Sequence, residues 1–312
     1  MRAVRCQGGS VEVTEVPRPS GEGVRVRIRS AGICGSDLHL VAGGFPLART
    51  LGHELAGLTP DDTPVAIEPL LPCQSCERCR RGEYNLCVRG PAIVIGAGHD
   101  GGMADELLVP ERCLVPLPAG ATPEDACLVE PLAVAIHGLR RAKLRGDQKV
   151  AVIGGGSIGL CAVAAVTSAG AAVGLAARHD AQIEAGARLG AHTAPEGEHD
   201  LVIDAAGTDS ALEQAVALCR PGGTLLLLAT YWSGLSLPGF ALCMKEVTVI
   251  PASMYGRQGV ARDVDVAAGV LATRPEIAQA LITHRFPLDA APEAFLTAAD
   301  RSAGAIKVVL EP

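Results

Sequence analysis

Lys149-Val150-Ala151-Val152-Ile153-Gly154-Gly155-Gly156-Ser157-Ile158-Gly159 is the stretch that decides the fold. Its apolar run over 150–153 is short and rich in β-branched residues, the pattern of a strand buried on both faces. Glycines follow at the Gly-x-Gly-x-x-Gly spacing, and helical periodicity then runs over 160–168 and stops at Gly170. That spacing alone is weak evidence; after a buried strand and before a helix it is a dinucleotide fingerprint. Gly154 permits the tight turn, Gly156 lets a pyrophosphate approach the backbone, and Gly159 lets the helix pack closely on the strand. The helix start at Ser157 and Ile158 then offers unpaired N–H groups and the positive end of its dipole to phosphate.

Downstream the alternation continues. Strands are expected over 172–177, 201–205, 224–229 and 247–250, helices over 181–189 and 210–218, and a turn at Pro221-Gly222-Gly223. Strands alternating with helices imply a parallel sheet with right-handed crossovers. At the end of the second strand stands Ala176-Ala177-Arg178-His179-Asp180. NAD-binding sheets place an acidic residue about twenty positions past the glycine turn, on the ribose 2′-hydroxyl. Arg178 holds that spot here, and a guanidinium offers a paired contact to a 2′-phosphate instead. His179 can add a second donor, while Asp180 either reaches the ribose or caps the next helix. NADP is therefore expected over NAD.

Upstream of Lys149 the chain changes to short strands and Pro/Gly-rich loops, and it carries two candidate metal sets. Cys73, Cys76, Cys79 and Cys87 lie in Cys-Gln-Ser-Cys-Glu-Arg-Cys-Arg-Arg-Gly-Glu-Tyr-Asn-Leu-Cys. Two-residue gaps turn adjacent thiolates toward one centre and the longer loop returns the fourth, which suits a closed, structural zinc. An iron–sulfur cluster is the rival, although the last gap exceeds that of the bacterial ferredoxin run. The second set is mixed. Cys34 lies in Cys-Gly-Ser-Asp-Leu-His, and Gly52-His53-Glu54 and Glu130-Pro131-Leu132 follow. Cys34, His53 and Glu54 offer one soft and two harder donors, the incomplete shell typical of a catalytic zinc. Thr122, Pro123 and Asp125 are expected to open the helix that carries Glu130.

Together these motifs resemble the medium-chain, zinc-dependent alcohol dehydrogenase family, nearest its polyol, sorbitol and threonine dehydrogenase branch. Asp100-Gly101-Gly102-Met103-Ala104-Asp105 and the C-terminal Ile306-Lys307-Val308-Val309-Leu310 also match, so the likeness covers almost the whole chain. The resemblance implies an α/β architecture. A GroES-like, β-rich catalytic domain would span 1–138, a doubly wound parallel-sheet Rossmann domain 139–275, and a return segment 276–312, with the active site in the cleft between domains. It implies that Cys34, His53 and Glu54 bind the catalytic zinc, with Glu130 on or beside the metal as a variable further ligand. Ser36 matches the hydroxyl that touches the substrate oxygen, His39 the outer member of the proton relay, and Asp37 the carboxylate beneath the ligands. Lys307 matches a cationic pyrophosphate contact. Two departures stand out. The stretch 55–68, with Pro60, Asp61, Asp62 and Pro64, is shorter than the family's, which adds strands there. Leu40-Val41-Ala42 stands where polyol enzymes often carry aromatic residues, which implies a roomier, less polar pocket.

Composition narrows the class. The 312 residues suffice for about two domains, and 48% hydrophobic with 20% charged residues is ordinary for a soluble globular protein. A net charge of −7 with no basic stripe argues against a nucleic-acid surface. No signal peptide is expected after Met1, and no apolar run is long enough to span a bilayer. Beyond the four lobe thiols and Cys34, the six cysteines Cys6, Cys113, Cys127, Cys161, Cys219 and Cys243 are expected as small buried residues. The thiolate-dense lobe suggests a reducing compartment. The expectation is a cytoplasmic homodimer or homotetramer with two Zn²⁺ per chain, moving hydride between a secondary alcohol or polyol and NAD(P). The alternative is a non-catalytic nucleotide-binding redox sensor or scaffold, which would have no need of an open zinc site.

Overall fold

The expected alternation after Lys149 is realised as six parallel strands in the order His192–Thr193, Ala172–Ala176, Lys149–Ile153, His199–Asp204, Cys219–Leu227, Thr248–Pro251. The computed structural model describes residues 1–43, 49–232 and 234–312, with side-chain surroundings for all of these but Thr193 and Arg301. Sheet growth reverses between Lys149–Ile153 and His199–Asp204, the topological switch point at whose carboxyl ends such sheets bind ligands. Val150, Ala151 and Val152 are fully buried. That is why this strand reads as a continuous apolar run rather than an alternation. The turn expected at Pro221-Gly222-Gly223 is instead absorbed into the strand Cys219–Leu227. Gly222 keeps a left-handed φ of +66°, and pairing with the neighbouring strand slips between His199 and Leu201, so the turn survives as an irregularity in the ladder.

The chain forms two compact units, Pro131–Tyr255 and Met1–Glu130 with Gly256–Pro312. These limits lie earlier than the divisions expected after 138 and 275. The helix Val129–Arg141 straddles the first limit. Past the second, polar contacts hold the segment at 256–265 in the β-rich unit: Arg262 donates to Glu68 at 3.0 Å, and the Arg257 backbone N donates to the Gly82 carbonyl at 3.4 Å. The return to this unit is therefore made about a helix and a hairpin before the expected point.

In the β-rich unit the sheet runs Ile282–Pro287, Lys307–Glu311, Val24–Gly32, Glu54–Leu58, Pro64–Ile67, Leu114–Pro116, with Glu106–Val109 also paired to Val24–Gly32. Val26, Ile28, Leu55, Val65, Ile67 and Leu310 meet in its core, each contributing about 1.5–3 kcal/mol by burial. The shortened stretch closes as a tight hairpin. Leu55 pairs with Ile67 and Leu58 with Pro64, and the Thr59 hydroxyl accepts from Thr63 N at 3.1 Å across the turn. Asp62 takes the left-handed φ of 61° that the turn demands. The hairpin leaves Glu54 at the head of its strand. Of the six cysteines expected inside, five are buried and Cys243, in the helix Gly239–Met244, is exposed. No described helix is long and apolar enough to cross a membrane.

Candidate active site and metal centres

Cys34 follows the strand Val24–Gly32 and caps the helix Gly35–Ala42 in an extended conformation. Its backbone N donates to Asp37 Oδ2 at 3.0 Å, which fixes where the thiol points. His53 and Glu54 arrive at the head of the neighbouring strand. Two glycines make room for them. Gly52 has φ +97°, and a Cβ there would lie 2.5 Å from the Met103 side chain. At Gly32, the residue paired with Glu54, a Cβ would lie 2.2 Å from the Glu54 carboxylate. The donor atoms of Cys34, His53 and Glu54 lie within 4.8 Å of one another.

Asp37 is fully buried beneath them. Its Oδ1 lies 3.5 Å from His53 Nδ1 and has no hydrogen-bond partner. A proton on Nδ1 answers that orphaned oxygen and leaves the Nε2 lone pair free, the carboxylate–histidine arrangement that orients a metal ligand. Burial opposes charge on the His53 imidazole, but Asp37 and then Cys34 outweigh it and hold its pKa well above the ordinary value. The pocket therefore favours positive charge, which a divalent cation supplies. One thiolate, one imidazole and one carboxylate leave a position open, and zinc fits this set. Ser36 Oγ lies 3.4 Å from His53 Nε2. His39 sits three residues on in the same helix and is exposed; that spacing brings the two side chains to one face.

One expectation changes. Lys307 does not face a phosphate. The strand Lys307–Glu311 pairs with Val24–Gly32. The fully buried ammonium donates to Ile33 O at 3.1 Å and to Glu54 Oε1 and Oε2 at 2.8 and 2.6 Å, which uses its three protons. Burial disfavours its charge, Glu54 more than compensates, and the pKa lies above the ordinary lysine value. Glu130 is buried in the first turn of its helix. Val41, in the stretch Leu40-Val41-Ala42, packs against the hydrophobic core.

The four lobe cysteines converge as their spacing suggests. Cys76 caps the short helix Glu77–Arg80, Cys79 lies within it, and Cys87 follows the turn Tyr84–Leu86. The Sγ atoms of Cys76 and Cys79 are 3.4 Å apart, and those of Cys73 and Cys79 are 3.9 Å apart. A zinc tetrahedron with bonds near 2.3 Å has edges of about 3.8 Å. An iron–sulfur cluster would spread its thiolates around several irons. Backbone N–H groups of Cys76 and Cys73 point at Cys73 Sγ (3.3 Å) and Cys87 Sγ (3.4 Å), as they would at thiolates. The Ser75 hydroxyl and the Cys76 N–H bring the Cys73 thiol down to about 5, while burial pushes Cys79 up to about 12. Zinc fits this closed set as well.

The glycine turn in Pro131–Tyr255 has the features a dinucleotide needs. Gly154 has φ +105°, and a Cβ there would crowd Ala206 N at 2.9 Å; at Gly159 it would fall 1.8 Å from the Gly154 carbonyl. A Cβ on Gly156 would meet nothing within 4 Å. No neighbour in the protein requires glycine there, so the space suits an approaching pyrophosphate. The helix Ser157–Ser168 opens with no side-chain cap, which leaves its first N–H groups for an anion. Arg178 is exposed after the strand Ala172–Ala176, His179 caps the helix Asp180–Arg188, and Asp180 is its first residue. Among the described residues Arg178 makes no ion pair. Sequence reading missed Asp204. It is fully buried and accepts from Ala206 N and Gly207 N at 3.0 and 3.2 Å and from the Tyr231 hydroxyl, so it braces the turn that faces Gly154. An acidic residue ending the apolar run Leu201-Val202-Ile203 was its signal.

Residues 20–119 match the alcohol dehydrogenase GroES-like domain and residues 157–268 the zinc-binding dehydrogenase family. L-galactonate-5-dehydrogenase of Escherichia coli K12 is 31% identical over 302 residues, 88% of this chain and 87% of that protein. Sorbitol dehydrogenase of Bombyx mori is 30% identical over 337 residues, 96% of this chain and 94% of that protein. Among solved structures, a zinc-binding dehydrogenase of Sinorhizobium meliloti 1021 bound to NADP superposes with a TM-score of 0.87. It is 29% identical and covers 100% of this chain and 99% of its own.

Proposed function

The chain belongs to the zinc-dependent medium-chain alcohol and polyol dehydrogenases, NAD(P)-linked hydride-transfer oxidoreductases, and we propose that it oxidises a secondary alcohol or polyol with NADP. One zinc would sit at Cys34, His53 and Glu54 and a second at Cys73, Cys76, Cys79 and Cys87. The observation that carries the reading is the open three-donor set with Asp37 fixing His53 from below and the Ser36 hydroxyl 3.4 Å from His53 Nε2. Relatives named for sorbitol and L-galactonate support the substrate class. Free thiols throughout the described chain support a reducing, cytoplasmic setting, and a homodimer or homotetramer is the assembly proposed. A panel of polyols and secondary alcohols, followed by nicotinamide absorbance with zinc-loaded protein, tests the function; no turnover with any of them would defeat it.

When bound, zinc supplies Lewis-acid polarisation of the alcohol oxygen and the nicotinamide supplies the hydride acceptor. The protein's part is orientation and proton movement. Cys34, His53 and Glu54 would hold the zinc, and Lys307 holds the Glu54 carboxylate in place. Ser36 Oγ, 3.4 Å from His53 Nε2, would accept the alcohol proton while releasing its own toward His39. His39 is exposed and can hand that proton to water. His39→Ala should lower kcat by about tenfold or more, within the range of general acid–base effects. The loss should be greatest at low pH, where other proton exits are fewer, and zinc content should not change. An unchanged pH–rate profile would make His39 a surface residue only.

Arg178 and His179 carry the proposed NADP preference. A guanidinium that makes no ion pair among the described residues can fork onto a 2′-phosphate. The preference should therefore reverse in Arg178→Asp, whose carboxylate repels that phosphate and accepts from a 2′-hydroxyl. kcat/KM for NADP should fall by about 10²-fold against NAD, taking a charge-assisted contact at about 1.5–3 kcal/mol. A parent enzyme that prefers NAD, unchanged by the substitution, would overturn the assignment.

A further inference from the structure

A cleft of about 390 Å³ opens in the β-rich unit beside the cysteine lobe, and Arg80, Arg112, Arg257 and Arg262 all line it. Cys34, Ser36, His39 and His53 do not, so it is separate from the mixed metal set. Its lining includes one carboxylate, Glu68, which is already engaged by Arg262 at 3.0 Å and by the Tyr84 hydroxyl. Arg262 is a strut. It also donates to Asp265 at 2.6 Å and to the carbonyls of Arg112 and Leu114 at 2.7 and 3.1 Å. The other three arginines are exposed and make no ion pair among the described residues. The lobe's remaining arginines differ: Arg78 pairs with Glu83 at 2.8 Å and Arg81 with Glu77 at 2.6 Å.

Four guanidinium groups against one carboxylate give this lining a formal charge of +3 on a chain whose net charge is −7. Like charges gathered in one cleft repel unless an anion joins them. Their placement is built by the fold. Arg80 ends the helix Glu77–Arg80, Arg112 lies in the turn Glu111–Cys113, and Arg257 and Arg262 lie on the facing strands of the hairpin Arg257–Gln258/Ala261–Arg262. The stem of Arg257 lies over Gly82, where a Cβ would come within 2.8 Å of Arg257 Cγ, and its backbone N–H meets the Gly82 carbonyl at 3.4 Å. The volume suits a small molecule rather than a lone ion. Planar forks match phosphoryl oxygens in pairs, and a phosphomonoester brings about −1.5 to −2 charges at neutral pH.

We propose that this arginine cleft binds a small phosphomonoester, a phosphorylated metabolite held apart from Cys34, His53 and Glu54. Calorimetric titration of glycerol 3-phosphate into zinc-loaded, NADPH-saturated protein at low salt tests it, because the nucleotide site is then occupied. Parent protein should bind one equivalent. Arg112→Gln/Arg257→Gln should weaken binding by at least about tenfold, and Arg81→Gln, outside the cleft, should leave it within about twofold. Arg257→Lys, which keeps the charge without the fork, should weaken it about threefold. The three substituted positions, Arg81, Arg112 and Arg257, are exposed, and unaltered melting temperatures will establish that the variants are folded. Equal affinity in parent and double variant would overturn the site, and an equal loss in Arg81→Gln would reduce it to diffuse attraction. Succinate binding as tightly as glycerol 3-phosphate would overturn the phosphoryl assignment.

Discussion

Cys34→Ser should abolish turnover, lowering kcat by at least about 10³-fold, while the protein stays folded and still binds NADPH. The expectation rests on how few donors the mixed set has. Cys34, His53 and Glu54 gather within 4.8 Å, and the thiolate is the soft donor that favours zinc over harder cations. Serine's hydroxyl is neutral at working pH and offers a harder oxygen, so the open site loses affinity and part of its charge balance. Metal-assisted polarisation is worth several kcal/mol, and each 1.36 kcal/mol of barrier is a factor of ten. About 4 kcal/mol therefore gives the stated loss. Stability should change little, because Cys34 is only half-buried and the backbone cap from Asp37 to Cys34 N does not use the thiol. Zinc analysis should show a chain that has lost one of two ions, with the lobe still filled. Retained turnover at full zinc content would mean that Cys34 is not a ligand.

The variant also separates what was legible in the sequence from what was not. Cys34, His53 and Glu54 announced themselves because each sits in a short local motif. The glycine turn was legible for the same reason, since a strand, a turn and a helix start fall within eleven residues. Long-range pairings were not. The link between Lys307 and Glu54 joins residues 253 apart and depends on the parallel pairing of Ile282–Pro287 with Lys307–Glu311 and on the antiparallel pairing of the latter with Val24–Gly32. Periodicity gives a strand but not its neighbour, so a lysine near the C-terminus read as a phosphate contact. The arginine cleft was hidden in the same way. Arg78, Arg80 and Arg81 looked like one solvated rim. Only the hairpin at 257–262 separates Arg80 from the two paired arginines and gives it company.

Cys76→Ser should act in the opposite sense to Cys34→Ser, on stability before activity. The four lobe thiols form a closed set, and their sulfur separations of 3.4 and 3.9 Å bracket the edge of a zinc tetrahedron. Little apolar burial holds this segment otherwise. Leu86 and Val88 are 47% and 78% exposed, and Cys73 and Cys76 are half-buried. The helix Glu77–Arg80 has four residues, too few to stand alone. With zinc bound as proposed, the fold of the lobe would be held chiefly by the metal, and binding free energy at such a site is folding free energy. Losing one thiolate should cost about 3–5 kcal/mol, as expected for the loss of a structural metal link. For a body of this size each kcal/mol moves the melting temperature by about 2–4 °C, which predicts a drop of about 10 °C. Chelation of the parent protein should reproduce it, and chelation of the variant should add little. Turnover measured well below the new melting temperature should stay within a few-fold of the parent, because Cys34, His53, Glu54 and Ser36 are untouched. A variant that melts with the parent and keeps two zinc ions would show that the lobe does not depend on its metal.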